Sequence, residues 1–535
     1  MTAKPSLAWR LAIIGLVTAL AICKIRAGEV GPIQVELPAR HLWAGEHVHL
    51  TVRVLGLDLG RGDRVSLRWE SVLWGAVLAG GERQLAPSPE AGAQIAIGFE
   101  APRVRHTSTA ELRLALLRGP NVVATETTSL TIYPTWDPQP LQQLLRDKHV
   151  GLADPSGRLA RVLRAHGLPG DDLPTAEAVR AFQGDAIVLG PGASQTPALT
   201  ESVLEAVESG LSAIWLEPAD TSRWQARFGL PKAGQASAFG QTILASEHPA
   251  LYGIASDDLV SWRGESGPSF VMAAPDGGNW RGLAAAKAEK PGFSVIELFP
   301  GAGRIVLCQL PVVSRFDSEP AARPVLEAMI RYALNEIEQF RPAVLWAPPE
   351  HGLRLLAEKA GAEVIEGKPP PEAVLIVAAD AEATRYASTR EPSLTDGIRA
   401  HLTAGGKCLF IGGEPASMPF LERCGVRALQ FMPAPDKPDF APQAVPLAWG
   451  VSADDLSAAA QAGEHSSLFQ YTAASSSDAK VAAAPGAIVK APVGAGEAIL
   501  CQFALDRAPE AQASIALFRQ LLTNLGVRLK REDQP

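Results

Sequence analysis

Five cysteines in 535 residues, no two spaced as Cys-x-x-Cys, leave no zinc knuckle and no thioredoxin-type redox pair. Cys23 lies in an N-terminal apolar run; the others are Cys308, Cys408, Cys424 and Cys501. Cys308, Cys408 and Cys501 stand inside apolar strand-like runs, where a cysteine is a buried small hydrophobe. The chain also lacks an HExxH pair, a P-loop and a calcium-loop pattern, and its ten histidines show no ligand spacing. These absences leave no cofactor and no metal site to name. The net charge is -8, and nothing in the composition suggests the clustered basic face of a nucleic-acid binder. What is present is 47% apolar residues against 20% charged, enough for real cores and too much for long disorder.

The N-terminus reads as a targeting segment. Lys4 and Arg10 precede an apolar run from Leu11 to Cys23, and Lys24 and Arg26 end it. The run is shorter than the about 18 apolar residues that span a bilayer and has the length of a signal-peptide core. Residues 1–27 are therefore a signal peptide or an N-terminal anchor. Ile25-Arg26-Ala27 puts a large residue at −3 of a cut after Ala27, and Leu20-Ala21-Ile22-Cys23 is a loose lipoprotein box, so cleavage and retention both stay open. Either way the expectation is export to a bacterial periplasm or cell envelope, with membrane contact only through this segment.

From about 30 to 134 the pattern is strand after strand. His47-Val-His-Leu-Thr-Val-Arg-Val alternates polar and apolar residues, and Val65–Trp69, Gln94–Phe99, Glu111–Leu116 and Ser129–Tyr133 repeat the habit between Gly and Pro clusters. About a hundred such residues predict an immunoglobulin-like β-sandwich, without a cysteine pair across its sheets. Pro134-Thr-Trp-Asp-Pro-Gln-Pro is a linker, after which helical stretches such as Leu199–Glu208 alternate with short apolar strands at Ala186, Ala213 and Arg304. That alternation predicts a parallel sheet covered on both faces. A second proline-rich break follows Arg341 and opens a third region with the same grammar.

The two later regions repeat one another. Gly253-Ile-Ala-Ser-Asp-Asp-Leu returns as Gly450-Val-Ser-Ala-Asp-Asp-Leu, and Gly301-Ala-Gly-Arg-Ile-Val-Leu-Cys-Gln as Gly494-Ala-Gly-Glu-Ala-Ile-Leu-Cys-Gln. Gly210–Leu216 matches Gly405–Ile411, and Ala186–Leu189 matches Leu375–Ala378, all in order at offsets near 190 to 197 residues. Two homologous α/β domains follow, 141–340 and 341–530.

A strand, a helix, then a glycine-led apolar strand resembles the class I glutamine amidotransferase-like fold, a flavodoxin-like three-layer α/β domain. His248-Pro-Ala-Leu-Tyr-Gly-Ile-Ala-Ser-Asp-Asp-Leu-Val-Ser-Trp-Arg-Gly resembles, more narrowly, a tract of the amidotransferase-like domains attached to bacterial β-galactosidase-type glycoside hydrolases. The resemblance implies an accessory domain that assists assembly or substrate access and does no chemistry. An active amidotransferase needs a Cys on a tight strand-to-helix elbow. The elbow expected in the first copy, Leu189-Gly-Pro-Gly-Ala-Ser, offers Ser194 without the flanking glycines of a hydrolase elbow. Val377-Ala-Ala-Asp in the second copy has neither Cys nor Ser.

Asp257 and Asp258 are either paired carboxylates or the acidic start of a helix capped by Ser256. The second copy keeps Asp454 and Asp455 but lacks Trp262-Arg263-Gly264. The candidate ligand contacts are thus Asp257, Asp258, Trp262, Arg263 and, on a glycine-rich loop, Trp280. No catalytic residue is nominated. The expected function is that of a non-catalytic exported binding or accessory protein of carbohydrate-active systems, whose partner is a polysaccharide or an envelope protein. The rivals are a membrane-anchored scaffold of a transporter or gliding-type complex and a hydrolase with an unrecognised site.

Overall fold

The computed structural model describes residues 33–530 apart from internal stretches, chiefly 37–39, 56–63, 86–92, 219–231, 263–270, 433–439, 463–469 and 474–479. The targeting segment lies outside the described residues. Among the described residues no helix is long and apolar enough to cross a membrane.

The chain forms two compact units. The first holds eight described strands in two sheets. One sheet orders β1 (Ile33–Glu36), β3 (His47–Val54) and β6 (Ala93–Glu100); the other orders β2 (His41–Trp43), β8 (Asn121–Tyr133), β7 (Ser108–Arg118), β4 (Val65–Leu73) and β5 (Ala76–Gln84). Strict alternation explains the packing. Val48, Leu50, Val52 and Val54 of β3 are buried, and they share one core with Leu67 of β4 and Leu112 and Leu114 of β7. The predicted strands fall inside the observed ones.

Two findings bear on the expected boundaries. The first unit also takes in Ser261–Gly264 and Ser318–Ala321, stretches assigned by sequence to the first α/β copy. There Glu319, fully buried, lies 2.7 Å from Nδ1 of the equally buried His41 and accepts the Ala321 N–H at 3.1 Å. The two α/β copies, in turn, do not separate at residue 340. They form one unit.

The hairpin between β4 and β5 turns at Trp74 and Gly75, both with positive φ (51° and 82°). Trp74 is 82% exposed, so its side chain contributes little packing. An Asn-Gly pair suits such a turn far better than Trp-Gly. Trp74→Asn is expected to raise stability by about 1 kcal/mol, read as a higher urea midpoint at unchanged slope. A lower midpoint would contradict the strain assigned to Trp74.

In the first copy, β9 (Val150–Ala153), α1 (Arg158–Ala165), β10 (Asp171–Asp172), α2 (Ala176–Ala181), β11 (Ala186–Leu189), α3 (Pro197–Glu208) and β12 (Ser212–Leu216) lead to a meander of β13 (Trp280–Ala288), β14 (Gly292–Leu298) and β15 (Arg304–Cys308). The parallel order is β10-β9-β11-β12-β15, with β14 antiparallel on β15. After α4 (Ala322–Ala333) the second copy repeats it: β16 (Ala343–Trp346), α5 (Gly352–Lys359), β17 (Val374–Ala378), α6 (Leu394–Thr403), β18 (Lys407–Ile411), then β19 (Ile488–Val493) and β20 (Gly496–Cys501). β16, β17, β18 and β20 are parallel in that order, and β19 is antiparallel to β20. Register matches as well, Ser212 pairing Arg304 as Lys407 pairs Glu497.

A buried polar cluster joins the copies. Arg281 on β13 donates to Asn524 Oδ1 at 3.0 Å and to the Thr523 carbonyl, both on α7 (Gln512–Asn524), and its Nη1 lies 3.3 Å from Glu297 Oε2. Glu297 also accepts the Tyr332 hydroxyl and faces His248 Nε2 at 3.3 Å. Asn279 donates to the Val527 carbonyl at 2.8 Å and accepts the Leu529 N–H at 2.9 Å.

Candidate functional site

In each copy the chain leaves the first parallel strand in one direction and returns on its other side. β9 lies between β10 and β11; β16 pairs with Val364 through an isolated parallel bridge and with β17. Ligands of open α/β sheets bind beyond the carboxyl ends of strands at such a reversal.

In the second copy three side chains meet there. His351 follows β16 and opens α5, its Nδ1 accepting the Leu353 N–H at 3.2 Å. Asp380 follows β17 and caps the next helix, Oδ1 accepting the Ala383 N–H at 2.8 Å. Asp506 follows β20. His351 Nε2 lies 3.0 Å from Asp380 Oδ2 and 3.4 Å from Asp506 Oδ2, and one ligand atom from each residue falls within 4.8 Å of the others. Burial works against the Asp380 charge, but His351 and the Ala383 N–H outweigh it and hold its pKa below the ordinary value. Burial dominates at Asp506 and pushes its pKa up, with Asp380 adding to the effect. Burial opposes a charge on His351, which the two carboxylates favour strongly enough to raise its pKa. The Leu353 N–H works the other way, because a second ring proton would point straight at it. We therefore place one proton on the ring, at Nε2.

The first copy has Arg158, Pro191 and Val313 the same distance beyond the matching strands. Its switch point is organised around Asp154, whose carboxylate accepts from Ser156, Leu159 N and Gly192 N. A Cβ on Gly190 or Gly192 would lie 2.5 or 2.7 Å from that carboxylate. The Leu189-Gly-Pro-Gly motif is thus a wrap around Asp154, and the stretch Pro191–Gln195 is a 3-10 turn in which Ser194 donates to the Pro191 carbonyl.

The tight strand-end conformation lies elsewhere, one strand over: Glu217 after β12 (φ 51°) and Gly412 after β18 (φ 77°). Each donates its N–H to the carbonyl of the matching cysteine, Cys308 or Cys501. Glu217 holds this conformation while its carboxylate accepts Ser314 N and Oγ, and burial pushes its pKa up. Neither position carries a thiol or hydroxyl. Burial also pushes the Cys308, Cys424 and Cys501 thiols up to about 12 and that of Cys408 well up.

Four of the five residues nominated from sequence are described, and their surroundings differ. Ser256–Leu259 is a single 3-10 turn, not a helix, and Ser256 does not cap it: its hydroxyl accepts the Ile243 N–H at 2.9 Å. Asp257 is exposed, whereas Asp258 is buried and accepts the Ala255 N–H at 2.7 Å. Asp455 accepts the Ser452 N–H at 2.8 Å in the same way, which explains why both copies keep the second acid. Trp262 is 6% exposed and clusters with the first unit, so its ring offers no open face; Arg263 lies outside the described residues. Trp280 packs edge-on against Phe293.

A second feature separates the copies. In the first, α2 packs against α3 on one face of the sheet, with Thr175 capping it through the Ala178 N–H. In the second, a turn carrying Pro369, Pro370 and Pro371 leads into β17, and no described residue there is helical. A groove of about 1060 Å³ is left beside α6, lined by Val344, Trp346, Leu375, Leu394, Ile398 and His401. Val364 and Ile365 stand at its rim, 39% and 41% exposed.

No protein-family model matches the chain, and no curated protein does. Among solved structures, an exo-β-1,4-mannosidase from Opitutaceae bacterium strain TAV5 is 13% identical over 35% of this chain and 36% of that one, with a TM-score of 0.23. A superoxide reductase (neelaredoxin) from Ignicoccus hospitalis is 11% identical over 20% of this chain and 85% of its own, at 0.16. A cycloisomaltooligosaccharide glucanotransferase from Paenibacillus sp. is 8% identical over 77% and 56%, at 0.18. Similarity at this level carries no argument about what the chain does.

Proposed function

We propose that this is a non-catalytic exported binding protein, built from an immunoglobulin-like sandwich and two amidotransferase-like domains, and that it holds a partner protein in the groove of the second copy. The observation that carries the reading is the groove itself, an apolar face that the sister domain covers with a helix of its own. An unpartnered helix-and-sheet face of this kind takes an amphipathic helix laid into it. The occupant is therefore a short helix with small and aliphatic residues on one face, as α2 presents Ala176 and Val179. Two further points support the absence of chemistry: Glu217 and Gly412 hold the strand-end turns, and the described thiols are buried. A polysaccharide fits less well, because sugar rings need open aromatic faces with polar groups beside them, whereas Trp262 is buried and half-buried Trp280 packs edge-on against Phe293.

A photo-crosslinking residue at Ile365 tests this in cells that make the protein. The expected product is a crosslink to one protein, through a peptide with apolar residues at helical spacing, lost when Ile398→Asp charges the groove. A product equal to that from the exposed control position Tyr252, or one insensitive to Ile398→Asp, would sink the reading.

A further inference from the structure

Going beyond that reading, we propose that Asp380 and Asp506, with His351 as their fixed N–H donor, form a site for a hard divalent cation of the Mg²⁺ or Mn²⁺ kind. Asp506 is 5% exposed, yet its Oδ1 has no hydrogen-bond partner. A buried carboxylate oxygen without a partner is costly. That oxygen looks onto the place where Gly412 lacks a side chain: a Cβ there would lie 3.4 Å from Asp506 Oδ1 and 3.5 Å from the Asp380 Cβ. The missing Cβ leaves a small space between the Asp506 carboxylate and the Asp380 side chain. The fold does not require this arrangement, since the first copy builds the same strands with Arg158, Pro191 and Val313 at these places and Glu217 where Gly412 stands.

The donor set selects the cation. His351 Nδ1 is engaged by the Leu353 N–H, so Nε2 carries the proton and points it at Asp380. A soft or borderline ion that wants the Nε2 lone pair, Zn²⁺ above all, would have to turn the ring and break that bond. A hard ion needs only oxygen. It takes the two carboxylates, keeps several of its waters, and leaves the imidazole to orient Asp380. Partly open Asp380 gives the route in.

Mn²⁺ is the probe. Titration of the metal-stripped full chain, followed by loss of the free-ion EPR signal, should give one site with a dissociation constant of roughly 0.1–1 mM, competed by Mg²⁺. Asp506→Asn should weaken it roughly ten- to a hundredfold, and Asp257→Asn, an exposed acid, should leave it unchanged. The thermal readout separates a binding role from a structural one. Without metal, Asp506→Asn relieves two like charges and should melt at the same temperature as the parent or higher, and should lose the rise that Mn²⁺ gives the parent. A variant that melts lower and still binds Mn²⁺ overturns the proposal. So does binding of Zn²⁺ with none of Mn²⁺ or Mg²⁺, and so does a parent chain that binds none of the three.

Discussion

Glu297→Gln is expected to lower stability by about 3–5 kcal/mol at neutral pH, because it leaves the Arg281 guanidinium buried without its anion. Arg281, Glu297 and His248 are all buried, so solvent does little to screen the loss. The same carboxylate fixes a pH dependence. Burial alone would raise its pKa, but His248, Arg281 and the Tyr332 hydroxyl overcome that and lower it to about 2, from 4.5. A carboxylate depressed in the folded state stabilises at pH above its unfolded value, and that contribution fades as pH falls through the folded value. The parent should therefore lose stability between about pH 4.5 and 2 through this group, by roughly 3 kcal/mol. Glu297→Gln should show a shallower acid limb as well as a lower plateau. Denaturant midpoints from pH 7 to 2.5 check both. Equal acid limbs in parent and variant would show that Glu297 is not the group that titrates.

The second large effect concerns the repeated glycines. Gly301 and Gly494 turn the chain at positive φ (65° and 62°), and the residues two further on lie flat against backbone. A Cβ on Gly303 would fall 2.0 Å from the Val207 carbonyl oxygen, and one on Gly496 2.3 Å from those of Gly406 and Leu402. Backbone cannot swing aside as a side chain can. Gly303→Ala and Gly496→Ala should each cost about 3 kcal/mol, a melting temperature lowered by roughly 6–12 °C. Gly397→Ala is the contrast: it lies within α6 with nothing near its missing Cβ, so it should gain about 0.5–1 kcal/mol from helix propensity. Thermal melts of the three variants settle it, and a mild effect at Gly303 and Gly496 would mean the close approaches relax.

These glycines show what a sequence discloses. Gly301-Ala-Gly303 and Gly494-Ala-Gly496 are legible because a turn and a close approach each demand glycine at a fixed place, twice. The strands of the first unit are legible because one buried face imposes alternation over eight residues in β3. Asp258 and Asp455 were legible as structural acids, although the cap proved to be the acid itself and not Ser256. The site in the second copy was not. His351, Asp380 and Asp506 come from three loops and share no local pattern; the available signal is a titratable residue just past successive parallel strands, and Val377-Ala-Ala-Asp by itself reads only as an elbow without a nucleophile. The groove is harder still, since it follows from the lack of a helix among the described residues before β17. The joint around Arg281 pairs residues more than 240 positions apart, which no periodicity marks.

The first unit draws on three separate lengths of chain, and that restricts how such a protein can arise and be exchanged. A gene segment ending at the Pro134–Pro140 linker encodes the strands but not Glu319, so a transplanted sandwich would carry His41 without its carboxylate. A segment starting at the linker has the opposite defect, the Ser318–Ala321 stretch and its Glu319 without the strands they belong to. Recombination at the apparent boundary is penalised on both sides. The lineage should therefore inherit sandwich and tandem copies as one block, with breakpoints confined to the two ends.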